Sequence, residues 1–192
     1  MPRWEPNAQE RLQGAAMMLF LERGYANVTV AEIADRAGLT KRTFFNHFPD
    51  KREVLFAGAQ DFEGGIVKHL AEAPDGLAPI DAAIAALTHS SLELAKYSDY
   101  ARIRRDLIAS SPELQERDLI KMTALASAIA EALLQRHVPP RAATLTAQAA
   151  VAVFSIAYGD WVDNGTEDFG TLMQRSLAEF RLAVGDTRGT DN

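Results

Sequence analysis

From Asn7 to Val184 the apolar residues recur at helical intervals, and no segment of strand length alternates apolar with polar. Leu12, Ala15, Ala16, Leu19 and Phe20 stand at i, i+3, i+4, i+7 and i+8, one stripe of a helix that Asn7 can cap and Gly24 can end. The same punctuation repeats down the chain. Thr29 and Glu32 have capping-box spacing for a second helix that Gly38 stops, and Thr40 can cap a short third helix ending by Pro49. Asp50 with Glu53 has the same spacing and predicts a longer helix to about Ala71. Pro79 opens a helix to about Tyr97, and Asp99 caps a short one to Ala109. Ser111-Pro112 starts the next, to about His137. Beyond "VPP" an apolar helix runs from about Arg141 to Val162, and a last one ends near Val184. "NVTV" is the only β-flavoured stretch and is too short to matter. The pattern predicts an all-α fold.

Composition narrows the class. A chain of 192 residues can bury a real core, and 24% charged residues is ordinary for a globular protein. With no cysteine, disulfides and thiolate metal sites are excluded. The start, "MPRWEPNAQERLQ", lacks the apolar stretch of a secretory leader, and the most apolar segment, "ATLTAQAAVAVFSIAYG", is rich in Thr, Gln and Ser. A soluble, cytoplasmic protein that needs no membrane is expected. No nucleophile elbow, phosphate-binding glycine loop, dinucleotide fingerprint or zinc-spaced histidine set occurs, so neither enzyme chemistry nor a cofactor or metal is expected.

Charge is uneven. The net charge is −6, yet up to Phe56 eight Lys and Arg face seven Asp and Glu, leaving 12 against 19 beyond. Within the near-neutral part, Lys41, Arg42, His47, Lys51 and Arg52 crowd together. Two short helices joined by a glycine turn form a helix-turn-helix pattern. Ile33, Ala34 and Ala37 suit its first helix, Leu39 plugs the turn, and Phe44 and Phe48, at i and i+4, should point inward with Leu19 and Phe20. Lys41, Arg42, Phe45 and Asn46, with Thr40 and Thr43 beside them, are left on the outer side, where such groups can meet phosphates and base edges. Lys51 opens the following helix, where the positive end of the dipole favours a phosphate. A plain helical hairpin with a solvated basic face would share the pattern; in that case the chain would be a helical small-molecule carrier or sensor acting through a protein partner.

The segment "AAMMLFLERGYANVTVAEIADRAGLTKRTFFNHFPDKREVL" resembles the N-terminal domain of the TetR family of transcriptional regulators. The likeness is carried by Ala15-Ala16, Phe20, Gly24-Tyr25, Thr29, Ile33-Ala34, Gly38, Phe48 and Lys51. It implies a DNA-binding domain over 1–50, a helical ligand-binding and dimerisation domain over 51–185 and a flexible tail over 186–192. Carried over by position, it implies that Thr29, Thr40 and Thr43 touch phosphates, that Lys41, Arg42 and Asn46 read bases, and that His47 and Lys51 clamp the backbone. Phe45 departs from the family's usual tyrosine and can offer only an apolar contact. The partners implied are a palindromic operator in duplex DNA, a small-molecule effector and a second copy of the chain, with the protein a repressor released by the effector. The last two helices, the second with a stripe of Phe169, Leu172, Met173, Leu177 and Phe180, suit pairing with their copies. Candidate effector contacts are Phe62, His89, Tyr97, Arg102, Arg105, Met122, Phe154, Tyr158 and Trp161, a mix of apolar walls and a few polar groups.

Overall fold

The structure is a computed structural model and describes residues 7–91, 98–164 and 167–185. The described residues form nine α-helices and two short 3-10 turns, with no strand. The helices are α1 (Ala8–Arg23), α2 (Val30–Arg36), α3 (Lys41–His47), α4 (Ala59–Glu72), α5 (Pro79–Ser91), α6 (Ser98–Ala109), α7 (Pro112–Gln135), α8 (Pro140–Asn164) and α9 (Phe169–Val184). The chain groups into two compact units, one of residues 1–60 with 99–120 and the other of 61–98 with 121–192. Residues 99–120 thus pack with the N-terminal helices, although a linear reading places them in the body.

The caps act as their sequence suggests. Asn7 accepts the Glu10 amide while the Glu10 carboxylate takes the Asn7 amide, and Gly24, at φ +78°, ends α1 by donating to the Phe20 carbonyl. Thr29 and Glu32 form the reciprocal box at α2, and Thr40 accepts the Thr43 amide at α3. Asp50 departs from expectation. It accepts the amides of Arg52 and Glu53, but it launches only a 3-10 turn, Arg52–Phe56. Glu53 turns away to pair with Arg117, and the chain bends at Gly58, φ +84°, before α4 begins. The helix from Pro79 is described to Ser91 only; Tyr97 and the 186–192 tail lie outside the described residues.

The first unit closes around Leu12, Leu19, Phe20, Ile33, Phe44 and Leu55, all at most 4% exposed, with Leu107, Ile108 and Leu114 from α6 and α7 completing the core. Phe44 and Phe48 face inward together, their rings 5.5 Å apart. In the second unit α8 packs against α5 and α9. Ala143, Ala147, Ala150, Phe154, Ala157 and Trp161 recur at alternating intervals of four and three and form its buried face. By length and composition α8 is the one described helix apolar enough to cross a membrane, but that face is already covered by protein.

Candidate nucleic-acid interface and effector site

The reading geometry starts at the turn between α2 and α3. Gly38 adopts φ +65°, and its amide donates to the Asp35 carbonyl, while Leu39 returns to Ala34 at 2.8 Å. Arg11 of α1 reaches across and donates to the Ala37 carbonyl at 2.6 Å, so the turn is pinned to the first helix. Two further cations rivet α1 to α2: Arg23 pairs with Glu32 and Arg36 with Glu22. The Thr29 hydroxyl and the Arg23 guanidinium both hold the Glu32 carboxyl down to about 2. Sequence reasoning missed these rivets. Their opposite charges are plain in the sequence, but pairing across 9 and 14 residues is set by the helix crossing.

The outer side of α3 is different. Lys41, Arg42, Phe45, Asn46 and His47 are exposed, and Thr43 is half-buried. Lys41 and Arg42 form no hydrogen bond or ion pair among the described residues; the Lys41 ammonium only overhangs the Phe45 ring at 5.9 Å. Phe45 is 48% exposed, its inner edge packed on Phe44. The Thr40 and Thr43 hydroxyls share a 2.8 Å hydrogen bond and the Thr29 hydroxyl donates to Glu32, so Thr29 and Thr40 also serve as helix caps while Thr43 supplies the amide that Thr40 holds.

Lys51 breaks with the sequence reading. Its ammonium turns inward, donating to the carbonyls of Tyr25 at 2.8 Å and Val28 at 2.9 Å beneath the face of the Tyr25 ring. Burial lowers its pKa. Arg52 is likewise engaged by Asp50. The five-residue basic cluster therefore divides: Lys41, Arg42 and His47 face solvent, while Lys51 and Arg52 hold the fold.

In the second unit, four of the nine candidate effector residues come together. Phe154 contacts Phe62 at 5.8 Å and Tyr158 at 5.9 Å, and Tyr158 contacts Trp161 at 5.8 Å; Phe169 closes the group against Phe154 and Trp161. Phe62 and Tyr158 are half-buried, the other three buried. His89 stands apart from these rings, exposed, with its ring tilted against that of His69 at 4.1 Å. Met122 is half-buried on α7. Arg102 and Arg105 belong to the first unit, where Arg105 pairs with Asp106; Tyr97 lies outside the described residues.

Two family models account for most of this chain. Residues 14–57 match the model described as bacterial regulatory proteins, tetR family, and residues 77–184 match the MftR C-terminal domain of the TetR group. The chain belongs to the TetR family. Among curated TetR-type proteins it is 34% identical over 74 residues to the HTH-type transcriptional regulator TcmR of Streptomyces glaucescens, covering 38% of this chain and 33% of TcmR. The match thus spans about a third of that relative's length. Over the whole chain the fold is shared with SmeT in complex with triclosan (TM-score 0.61, 21% identity, 93% of this chain and 91% of SmeT). SmeT is the repressor of a Stenotrophomonas maltophilia multidrug efflux pump. The Thermus thermophilus TetR-family repressor FadR, in complex with lauroyl-CoA, also shares the fold (TM-score 0.52, 22% identity, 96% and 98%).

Proposed function

We propose that this TetR-family regulator reads duplex DNA with α3 and is a cytoplasmic homodimeric repressor released from its operator by a small apolar effector. One observation carries the DNA reading. The cations around the helix-turn-helix fall into two classes, with Arg11, Arg23, Arg36, Lys51 and Arg52 tied to internal partners and Lys41 and Arg42 on the outer side of α3 without an ion pair or hydrogen bond among the described residues. An exposed short helix about as wide as a major groove, capped by Thr40 and carrying Lys, Arg and Asn, is suited to base edges, with Thr43, His47 and the caps beside it near phosphates. Phe45 would press a sugar or a thymine methyl.

Dimerisation is supported by the outer faces of α8 and α9, where Leu145 and Leu182 are 71% and 79% exposed and Ile156 and Val184 are exposed as well. A twofold pair places two α3 helices over half-sites about 34 Å apart, one DNA turn, or a multiple of it. The effector reading rests on the ring cluster of Phe62, Phe154, Tyr158 and Trp161, which offers aromatic walls and two polar tips. Ligand and DNA would then oppose each other through reciprocal coupling of about 1–3 kcal/mol.

Selection from random duplexes tests this reading. The account expects a palindromic sequence bound with steep salt dependence. Recovery of no preferred sequence, or of a single unrepeated half-site, would refute it.

A further inference from the structure

We infer that Lys51 is a positioning residue for DNA reading, held through Tyr25 by Glu113, so that the first turn of α7 sets how α2 and α3 are presented. The inference rests on the DNA-binding reading above. An ammonium group has three N–H bonds. In Lys51 two go to the Tyr25 and Val28 carbonyls and the third side lies against the Tyr25 ring, whose centroid is 4.0 Å away. No donor remains for a phosphate. The two carbonyls belong to the 3-10 turn Tyr25–Asn27 and the residue that follows it, immediately before Thr29, the cap of α2. Lys51 therefore closes the turn from which the helix-turn-helix departs.

The ring that shelters Lys51 is fixed in turn. Tyr25 is 4% exposed, its edge set against Phe20 at 5.2 Å, and its hydroxyl donates to the Glu113 carboxylate at 3.3 Å. Burial and the Glu113 charge hold the phenol far above its ordinary pKa, so it remains a donor. Glu113 stands in the first turn of α7, and its Oε1 also lies 3.6 Å from Arg52 Nε. Three side chains thus connect in one line to the main chain: the α7 carboxylate, the phenol, and the ammonium that holds the two turn carbonyls. A part-buried ammonium is tolerated there because carbonyl dipoles and a ring face replace some of its water. Displacing Glu113 frees the ring, loosens Lys51, and lets α2 depart at another angle without altering any group on the outer side of α3.

The test compares Lys51→Met, Tyr25→Phe, Glu113→Gln and, as a contact control, Lys41→Ala. Affinity is measured for a selected operator and for random duplex across a salt series, with helical circular dichroism confirming the folded state. Loss of one phosphate contact lowers the slope of log K against log salt by about 0.9. The expected result is an unchanged slope for the first three variants, a fall of roughly tenfold in the operator-to-random ratio for Lys51→Met, a severalfold fall for the other two, and no further fall in the Tyr25→Phe/Glu113→Gln double variant. Hydrogen exchange of the Ile33 amide, read without DNA, should quicken in Tyr25→Phe and Glu113→Gln. A slope lowered by about one in Lys51→Met, with wild-type ratios for Glu113→Gln, overturns the proposal. Unchanged Ile33 exchange in both conservative variants also overturns it, even for a protein that binds no DNA. Failure of the wild type to bind any duplex, with the exchange effect present, faults the DNA reading instead.

Discussion

Gly38→Ala combines two costs that the structure separates. At φ +65° the new residue sits in the left-handed region, which costs an L-residue about 1–2 kcal/mol. Its Cβ would also stand 3.0 Å from Arg11 Nη2, the atom that donates to the Ala37 carbonyl. The guanidinium can swing aside, because it is the end of a flexible side chain, but the hydrogen bond is then lost. A single part-buried hydrogen bond contributes about 1 kcal/mol once its competition with water is allowed for. Gly38→Ala should therefore destabilise the first unit by about 2–3 kcal/mol, and Arg11→Met alone by about 1 kcal/mol. The double variant should cost no more than Gly38→Ala, giving a coupling of about 1 kcal/mol, because the methyl group has already displaced Arg11. Native-state hydrogen exchange at the Phe44 amide reads this free energy within the unit, while the Ala147 amide of α8 serves as a control in the other. Simple additivity of the two substitutions, or a cost for Gly38→Ala below about 0.5 kcal/mol, would refute the argument.

Other expectations follow from the caps, charges and rings. Thr40→Ala removes the acceptor for the Thr43 amide and should cost about 1 kcal/mol, with Thr40→Asn close to wild type in thermal denaturation. Glu32 titrates near 2 when folded against an ordinary value of 4.5, so its contribution is complete above pH 4.5 and is lost as pH falls toward 2. Acid unfolding of Glu32→Gln should accordingly be flatter over that window, and an identical acid limb in both proteins would exclude the role. Phe154→Ala removes the ring that touches Phe62, Tyr158 and Phe169; it should cost about 3–5 kcal/mol by urea denaturation and weaken binding of any apolar effector found by screening. A variant with wild-type stability would show that the rings do not act as one cluster.

Local chemistry made much of this fold legible. Asn7, Thr29 and Thr40 mark helix starts because the preference of their side chains for orphan amides depends only on residues three places on. The inward turn of Phe44 and Phe48 follows from their spacing and their bulk. Phe154, Tyr158 and Trp161 share a helix at i, i+4 and i+7, so their proximity is written in the sequence, whereas the approach of Phe62 depends on how α4 packs. Asp50 misled because its cap is genuine while the helix after it is not: Gly58 and the long-range attraction of Arg117 for Glu53 intervene. Lys51 misled for a related reason. A basic residue in a basic cluster looks like a phosphate ligand, and nothing local reveals that the carbonyls of Tyr25 and Val28, 26 and 23 residues away, need a donor. Arg102 and Arg105 offer cations suited to an anionic effector, but the sequence does not record that α6 returns to the first unit.

The central claim is that the outward pair on α3, and not the cations tied to internal partners, reads sequence. Fluorescence anisotropy of the selected operator and of random duplex, at one fixed salt concentration, tests it with Lys41→Ala/Arg42→Ala beside Arg52→Ala. The account predicts that the α3 pair variant loses most of the preference for the operator, Arg42→Ala alone removing about 1–3 kcal/mol, while Arg52→Ala keeps that preference. Full discrimination by the α3 pair variant would contradict it.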